Sequence, residues 1–326
     1  MARPSVTESA GYANRFRILL LGWFQEQQRK LPWRGESDPY RILVSEIMLQ
    51  QTRVAVVEER YRKFIAQFPS AERLARARAQ TVLAAWSGLG YYRRARNLHL
   101  AAKEIARAGE FPQTAEKLRE LPGVGRYTAN AVASIAFGEP VPVVDGNVKR
   151  VLERITGRAL GEEHYWQTAE LLLDRSSAGD FNQGLMELGA VVCLPGKPLC
   201  AACPVSPLCA ARGPMKKGER PARRKAELHY AFVRRNGSVL LQQRDKESPL
   251  MPGMWELPQI AAKKRDTAHL LKLRHSITTT DYTVFVHAVH AGTESAGSGR
   301  WVELRSVFRL PLTGLARKIL KEFDDD

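Results

Sequence analysis

At 326 residues the chain is long enough for about two domains of ordinary size, and 44% hydrophobic content is enough to build real cores. Its 50 Lys and Arg against 34 Asp and Glu leave a formal charge of +16, a surplus that favours a polyanionic partner. No apolar run approaches the roughly 20 residues of a membrane-spanning helix, and the short apolar stretch 18–24 leads to no small-residue cleavage site. A prokaryotic cytoplasm, at the nucleoid, is the expected location. Charge alone does not separate a nucleic-acid binder from a protein with a solvated basic face, so the motifs have to decide.

The first two-thirds reads as helical. Phe16, Leu19, Leu20, Trp23 and Phe24 recur at the spacing of one buried helix face. Asp38-Pro39 looks like an N-cap followed by proline at the first helical position, opening a helix that runs through Gln50. Further helical patterns cover 54–68, 80–86, 93–108, 115–120, 127–137, 148–155 and 165–175, with Pro and Gly between them. After Cys209 the composition changes: 212–225 holds seven basic residues and one acid and reads as a linker. Beyond it the period becomes that of strands. Stretches 229–234 and 238–243 flank Asn236-Gly237, a two-residue hairpin signal. Stretch 281–290 alternates like a strand and 314–323 reads as a closing helix, so 226–326 is expected to be α+β.

Within the helical part, two carboxylates sit in unlike surroundings. Glu46 is the only charge in Ile42-Leu43-Val44-Ser45-Glu46-Ile47-Met48-Leu49. It lies either at the edge of an apolar face or partly buried, and burial would raise its pKa toward the range of a general acid. Asp145 ends the apolar run 141–144 and precedes a helix start, where capping by backbone N–H groups would keep it ionised. One neutral and one charged carboxyl is the division of labour for cleaving a glycosidic bond through a cationic sugar. Between them in the chain, Leu121-Pro122-Gly123-Val124-Gly125 joins two helical patterns. Gly123 and Gly125 would turn the backbone so that exposed amides at a helix N-terminus face a DNA phosphate.

The four cysteines, Cys193, Cys200, Cys203 and Cys209, fall within 17 residues as C-x6-C-x2-C-x5-C. Such a gathering reads as a tetrathiolate site. Zinc, an iron–sulfur cluster and two disulfides are all compatible with the residues themselves.

Together these features resemble the helix-hairpin-helix DNA glycosylase superfamily with an iron–sulfur loop, and within it the MutY-type adenine DNA glycosylases. The resemblance covers almost the whole chain through LPWR (31–34), SEIMLQQT (45–52), GLGYYRRARNLH (88–99), LPGVGRYTA (121–129), VDGNVKRV (144–151), MELGA (186–190) and the cysteine quartet. It implies a helical catalytic domain over 1–211, with a six-helix barrel at about 31–138 and a cluster domain formed by the N-terminal helix and 139–211. A small α+β Nudix-like recognition domain would follow over 226–326.

The same resemblance implies a [4Fe–4S] cluster on the four cysteines. Glu46 would protonate the departing adenine and help handle the water, and Asp145 would stabilise the sugar cation, with Asn147 beside it and Tyr127 nearby. Arg34 and Glu187 match residues that contact the flipped adenine, and Gln51 and Tyr91 match wedges that open the base stack. The partner would be double-stranded DNA carrying adenine opposite 8-oxoguanine or guanine, bound by a monomer. Related endonuclease III proteins place a lysine where this chain has Tyr127. Tyrosine cannot form a Schiff base, so a glycosylase without strong lyase activity is expected. The rival readings are a pyrimidine-lesion glycosylase and a catalytically inactive damage-binding protein. In the C-terminal part, Trp255-Glu256-Leu257-Pro258 and the strand after His275 match the family's domain across a short intervening segment. The family's Phe-Ser-His recognition loop corresponds to His275-Ser276-Ile277, which keeps only the hydroxyl of Ser276. No Glu-rich Nudix box is present, so pyrophosphohydrolase activity is not expected.

Overall fold

The computed structural model of the chain describes residues 10–214, 222–245, 247–248, 250–261, 269–290 and 299–323. Of the linker expected at 212–225, positions 215–221 lie outside the described residues, as do 262–268 of the short segment before His275. Among the described residues eleven α-helices come first: α1 (Ala10–Gln27), α2 (Pro39–Leu49), α3 (Val54–Gln67), α4 (Ala71–Ala75), α5 (Ala79–Ala85), α6 (Arg93–Ala108), α7 (Ala115–Leu118), α8 (Arg126–Phe137), α9 (Gly146–Thr156), α10 (Glu162–Leu172) and α11 (Ala178–Val191). Eight strands and two helices follow: β1 (Arg224–Phe232), β2 (Arg234–Arg235), β3 (Ser238–Gln243), β4 (Trp255–Glu256), β5 (Gln259–Ile260), β6 (Leu271–Ile277), β7 (Thr280–Ala288), β8 (Arg300–Glu303), α12 (Leu304–Val307) and α13 (Gly314–Lys321).

Contacts divide the chain into one unit of Met1–Ala75 with Leu100–Gly218 and another of Arg76–His99 with Glu219–Asp326. The sequence reading kept 76–99 inside the helical domain. In the structure Tyr92 Oη donates to the Leu312 carbonyl at 2.9 Å and Arg317 Nε to Ser87 Oγ at 2.8 Å, which ties that segment to the strand-rich part. Neither long-range pair leaves a trace in local periodicity.

In the first unit, Phe16, Leu20 and Phe24 of α1 are buried as their spacing predicts, and Phe16 and Leu20 join a core with Val148, Val151 and Leu152 of α9 and Phe181, Leu185 and Leu188 of α11. Asp38 caps α2 by accepting from the Tyr40 and Arg41 amides, a contact worth about 1 kcal/mol. α2 is buried from Ile42 to Met48, so a charge in the middle of it is largely withdrawn from bulk solvent. The helical reading missed α11, whose three glycines weaken helix propensity. They serve packing instead. A Cβ on Gly179 would stand 2.7 Å from the Ser134 carbonyl, and one on Gly189 would stand 2.7 Å from Asn147 Cβ, so α11 lies flush against α8 and α9.

In the second unit, one sheet has the order β5-β1-β7-β6, with β1 and β7 parallel and the other pairs antiparallel. In the other, β3 pairs antiparallel with β2, β4 and β8. Asn236 and Gly237, at φ 48° and 72°, form the expected tight turn between β2 and β3. α13 buries Leu315, Ile319 and Leu320 in a core with Tyr230, Phe232, Val284 and Val286.

Candidate active site

Glu46 and Asp145 line the same cavity, about 500 Å³ in volume, within the first unit. Its walls come from the segment before α2, from α2 itself, and from the N-terminal ends of α8 and α9 and the middle of α11.

Glu46 is 5% exposed, which resolves the choice between edge and interior in favour of the interior. Burial raises its pKa to about 7. The Asp145 charge pushes the same way, while the Tyr127 hydroxyl and Arg34 pull against it. Tyr127 Oη, one residue into α8, donates to Glu46 Oε2 at 2.6 Å and also lies 3.2 Å from Met186 Sδ. Burial and the two neighbouring carboxylates raise the Tyr127 phenol well above its ordinary value, so it acts as a neutral donor.

Asp145 is the N-cap of α9. Its Oδ1 accepts from the Val148 amide at 2.7 Å and its Oδ2 from Asn147 Nδ2 at 3.1 Å. Capping alone would lower its pKa, yet the net direction is upward, because burial outweighs the hydrogen bonds and the Arg150 charge. The large displacement belongs to Glu46. Asn147 Oδ1 accepts from Arg150 at 2.7 Å, and the same guanidinium donates to the carbonyls of Gly189 at 2.6 Å and Cys193 at 2.7 Å. Sequence reasoning missed Arg150, whose only signal was its place in VDGNVKRV.

Across the cavity, Glu187 accepts from two arginines, including the Arg29 backbone N–H, which donates to its Oε1 at 3.1 Å. Arg29 Nε donates to its Oε1 at 2.6 Å, Arg29 Nη2 to its Oε2 at 2.9 Å, and Arg34 Nη2 to the same Oε2 at 2.9 Å. Burial would raise the Glu187 carboxyl, but the two guanidinium groups outweigh it and hold it below its ordinary value. Arg34 also donates to Gln183 Oε1 at 2.6 Å and lies over the Phe24 ring. Arg29 was missed too, because it stands outside the LPWR motif.

The two residues matched to wedges share an unusual backbone. Gln51, which lines this cavity, has φ 56°, and Tyr91, in the other unit, has φ 46°. Side chains with a Cβ rarely adopt this region, and such residues concentrate at functional sites. In the hairpin, Gly123 needs its φ of 77°, whereas Gly125 has an ordinary φ of −89° and caps α8 with no side chain on the first amides. Ser276 does not lie on a loop: it sits near the end of β6, its Oγ donates to Asp281 Oδ1 at 2.6 Å, and Arg223 Nε binds the same oxygen at 2.7 Å. The hydroxyl proton is therefore committed to a neighbouring carboxylate.

All four cysteines are free thiols and line one narrow cavity with Arg154 and Arg212. The buried Arg154 donates to Cys193 Sγ at 3.1 Å, and Cys209 Sγ to the Arg154 carbonyl at 3.3 Å. Burial raises the Cys203 thiol to about 11 and the Cys209 thiol in the same direction, with further contributions from neighbouring sulfurs. Among the described residues no three His, Cys, Asp or Glu side chains converge as they would on a single ion. The donor set itself, four soft sulfurs around one cavity with a guanidinium donating to one of them, fits a thiolate-bound cluster.

A family model described as HhH-GPD superfamily base excision DNA repair protein matches residues 44–173. The chain is 46% identical over 223 residues to a Mus musculus protein named adenine DNA glycosylase, covering 63% of this chain and 43% of that one. It is 36% identical over 304 residues to the Arabidopsis thaliana protein of the same name, covering 77% of this chain and 48% of that one. It thus spans less than half the length of either relative. Among solved structures, a thermostable thymine-DNA glycosylase superposes with a TM-score of 0.57 at 32% identity, over 61% of this chain and 95% of its own. With the glycine-containing hairpin between α7 and α8 and the carboxyl pair on α2 and at the start of α9, these likenesses establish that the chain belongs to the HhH-GPD superfamily of base excision DNA repair proteins.

Proposed function

We propose that the protein flips an adenine out of a mispair with 8-oxoguanine or guanine and hydrolyses its N-glycosidic bond, leaving the strand uncut. The observation that carries this reading is the buried Glu46, its pKa raised to about 7, in one cavity with the capped Asp145.

Near neutral pH a substantial fraction of Glu46 is protonated and donates its proton to a ring nitrogen of the departing adenine as the bond to the sugar breaks. Asp145, held by the Val148 amide and Asn147, faces the cationic sugar as an anion. Glu46, now a carboxylate steadied by the Tyr127 hydroxyl, takes a proton from the attacking water as oxygen bonds to the sugar carbon, which restores the starting state. Arg34 and Glu187 supply fixed polar edges for the extruded purine. Tyr127 offers no amine, so the sugar is not captured covalently. Gln51 and Tyr91 fill or open the stack, and the amides at Gly123 and Gly125 meet a DNA phosphate. The second unit would serve as the Nudix-like reader of the opposing base, with Ser276 beside it.

Cys193, Cys200, Cys203 and Cys209 would hold a [4Fe–4S] cluster. Bound there, the cluster would cross-link the loop after α11 and present its charge near DNA.

The test is single-turnover base release from duplexes holding adenine opposite 8-oxoguanine, adenine opposite guanine, and thymine glycol. Adenine release with strand scission only after alkali, abolished in Glu46→Gln while duplex binding persists, is the expected result. Preferential release of thymine glycol would favour the pyrimidine-lesion reading, and full activity in Glu46→Gln would remove the catalytic assignment.

A further inference from the structure

Tyr91 is half exposed, at 50%, and its backbone φ of 46° is one that its own side chain disfavours. Something else must hold it there. Gly88 and Gly90, at φ 98° and 69°, make the approach turn, and Trp86 Nε1 donates to the Gly90 carbonyl at 3.2 Å. After it, Tyr92 is buried and anchored through its hydroxyl to the Leu312 carbonyl. These contacts fix the chain on either side of Tyr91 but not its ring.

Arg94 supplies the missing restraint. Its Nη2 donates to the carbonyls of Leu89 at 3.0 Å and Gly90 at 3.2 Å, and its backbone N–H closes a turn onto the Tyr91 carbonyl at 2.9 Å. The guanidinium carbon lies 5.4 Å from the Trp86 ring centroid and 5.6 Å from that of Tyr91. One planar cation thus binds both carbonyls of the turn and lies over both rings. Burial lowers its pKa to about 10, which leaves it charged at neutral pH. Arg93, the preceding residue, is exposed, so the role falls to one particular arginine.

We propose that Arg94 is a positioning residue for Tyr91: it locks the turn and the ring together, so that the ring is already set for entry into the base stack before DNA binds. This rests on the reading of Tyr91 as a wedge. Pre-setting the ring removes an ordering cost at the moment of base extrusion. Lysine retains the charge but lacks the planar, forked donor group that reaches two carbonyls while its charge sits over two rings.

Two readouts on the full-length protein test it. First, the protein is labelled with 3-fluorotyrosine and the Tyr91 resonance is assigned by its loss in Tyr91→Phe. Fluorine NMR of the DNA-free protein should show that resonance moving toward the position of the free amino acid in Arg94→Gln, and partway in Arg94→Lys. An unmoved resonance overturns the proposal. Second, single-turnover adenine release is measured in a double-mutant cycle. Arg94→Gln should slow release on the order of tenfold when Tyr91 is present and by less than about twofold when Tyr91→Ala is already in place. Equal slowing in both backgrounds would mean that Arg94 merely supports the fold, and the proposal fails. If Tyr91→Ala itself leaves release unchanged, the wedge reading fails and takes the kinetic role of Arg94 with it. The resonance still decides whether Arg94 sets the ring.

Discussion

Glu46→Gln keeps the side-chain shape and an acceptor for the Tyr127 hydroxyl while removing the ionisable proton. The folded protein binds that proton more tightly than the unfolded chain, since burial raises the carboxyl from 4.5 to about 7. The unaltered protein should therefore be at full stability, with respect to this group, below about pH 4.5 and lose stability as pH rises through about 7. At about 1.4 kcal/mol for each tenfold change in acidity, the loss reaches roughly 3 kcal/mol above that range. Gln carries no such penalty. The variant should thus gain on the unaltered protein by roughly 3 kcal/mol between acid and mildly alkaline conditions, several degrees in the melting of the helical unit. Thermal unfolding followed by far-ultraviolet circular dichroism at about pH 5 and about pH 8.5 reads this directly. A stability difference between the two proteins that does not change with pH would refute the claim that the folded state holds Glu46 as a strained anion.

Asp145→Asn should retain the helix cap to within about 0.5 kcal/mol, because Asn caps as well as Asp, yet slow adenine release by at least about a hundredfold through loss of the charge facing the sugar. Denaturant titration and single-turnover kinetics on the same preparation check both halves. Tyr127→Phe removes a hydrogen bond that favours the Glu46 anion, so the decline of release rate with pH should move to higher pH; a shift to lower pH would contradict the geometry. Glu187→Gln strips the carboxylate from two guanidinium groups, one of them the largely buried Arg34, and should cost about 3 kcal/mol in urea unfolding. A purified preparation should be brown, with iron and acid-labile sulfide in equal amounts, and Cys203→Ser should lose both the colour and the thermal stability of the first unit.

Features whose cause is local were readable from the residues. Asp38 and Asp145 cap because short acceptor side chains precede helical patterns, and Asn236-Gly237 turns because both positions require positive φ. The apolar run around Glu46 announced burial without deciding it; the decision comes from α3 and α8, which pack against α2. What was not legible depends on reach between distant segments. Arg29 and Arg150 act through long side chains on partners 158 and 43 residues away, which no local pattern encodes. α11 hid behind glycines that matter only once α8 and α9 are in place. The upward direction of the Asp145 pKa followed from the depth of the cavity, which capping chemistry does not reveal. Ser276 was matched by its hydroxyl, yet the register of β6 on β7 sets it opposite Asp281, which takes the proton.

The central claim is that a carboxyl kept partly protonated by burial delivers the proton that frees the base. Its most direct measurement is the single-turnover rate of adenine release from an adenine:8-oxoguanine duplex between about pH 5 and about pH 9. The account predicts a rate that falls as pH rises, with a midpoint near 7, and no release in Glu46→Gln at any pH. A rate that is flat or rising across that interval, or one governed by a group titrating near 4.5, would contradict it.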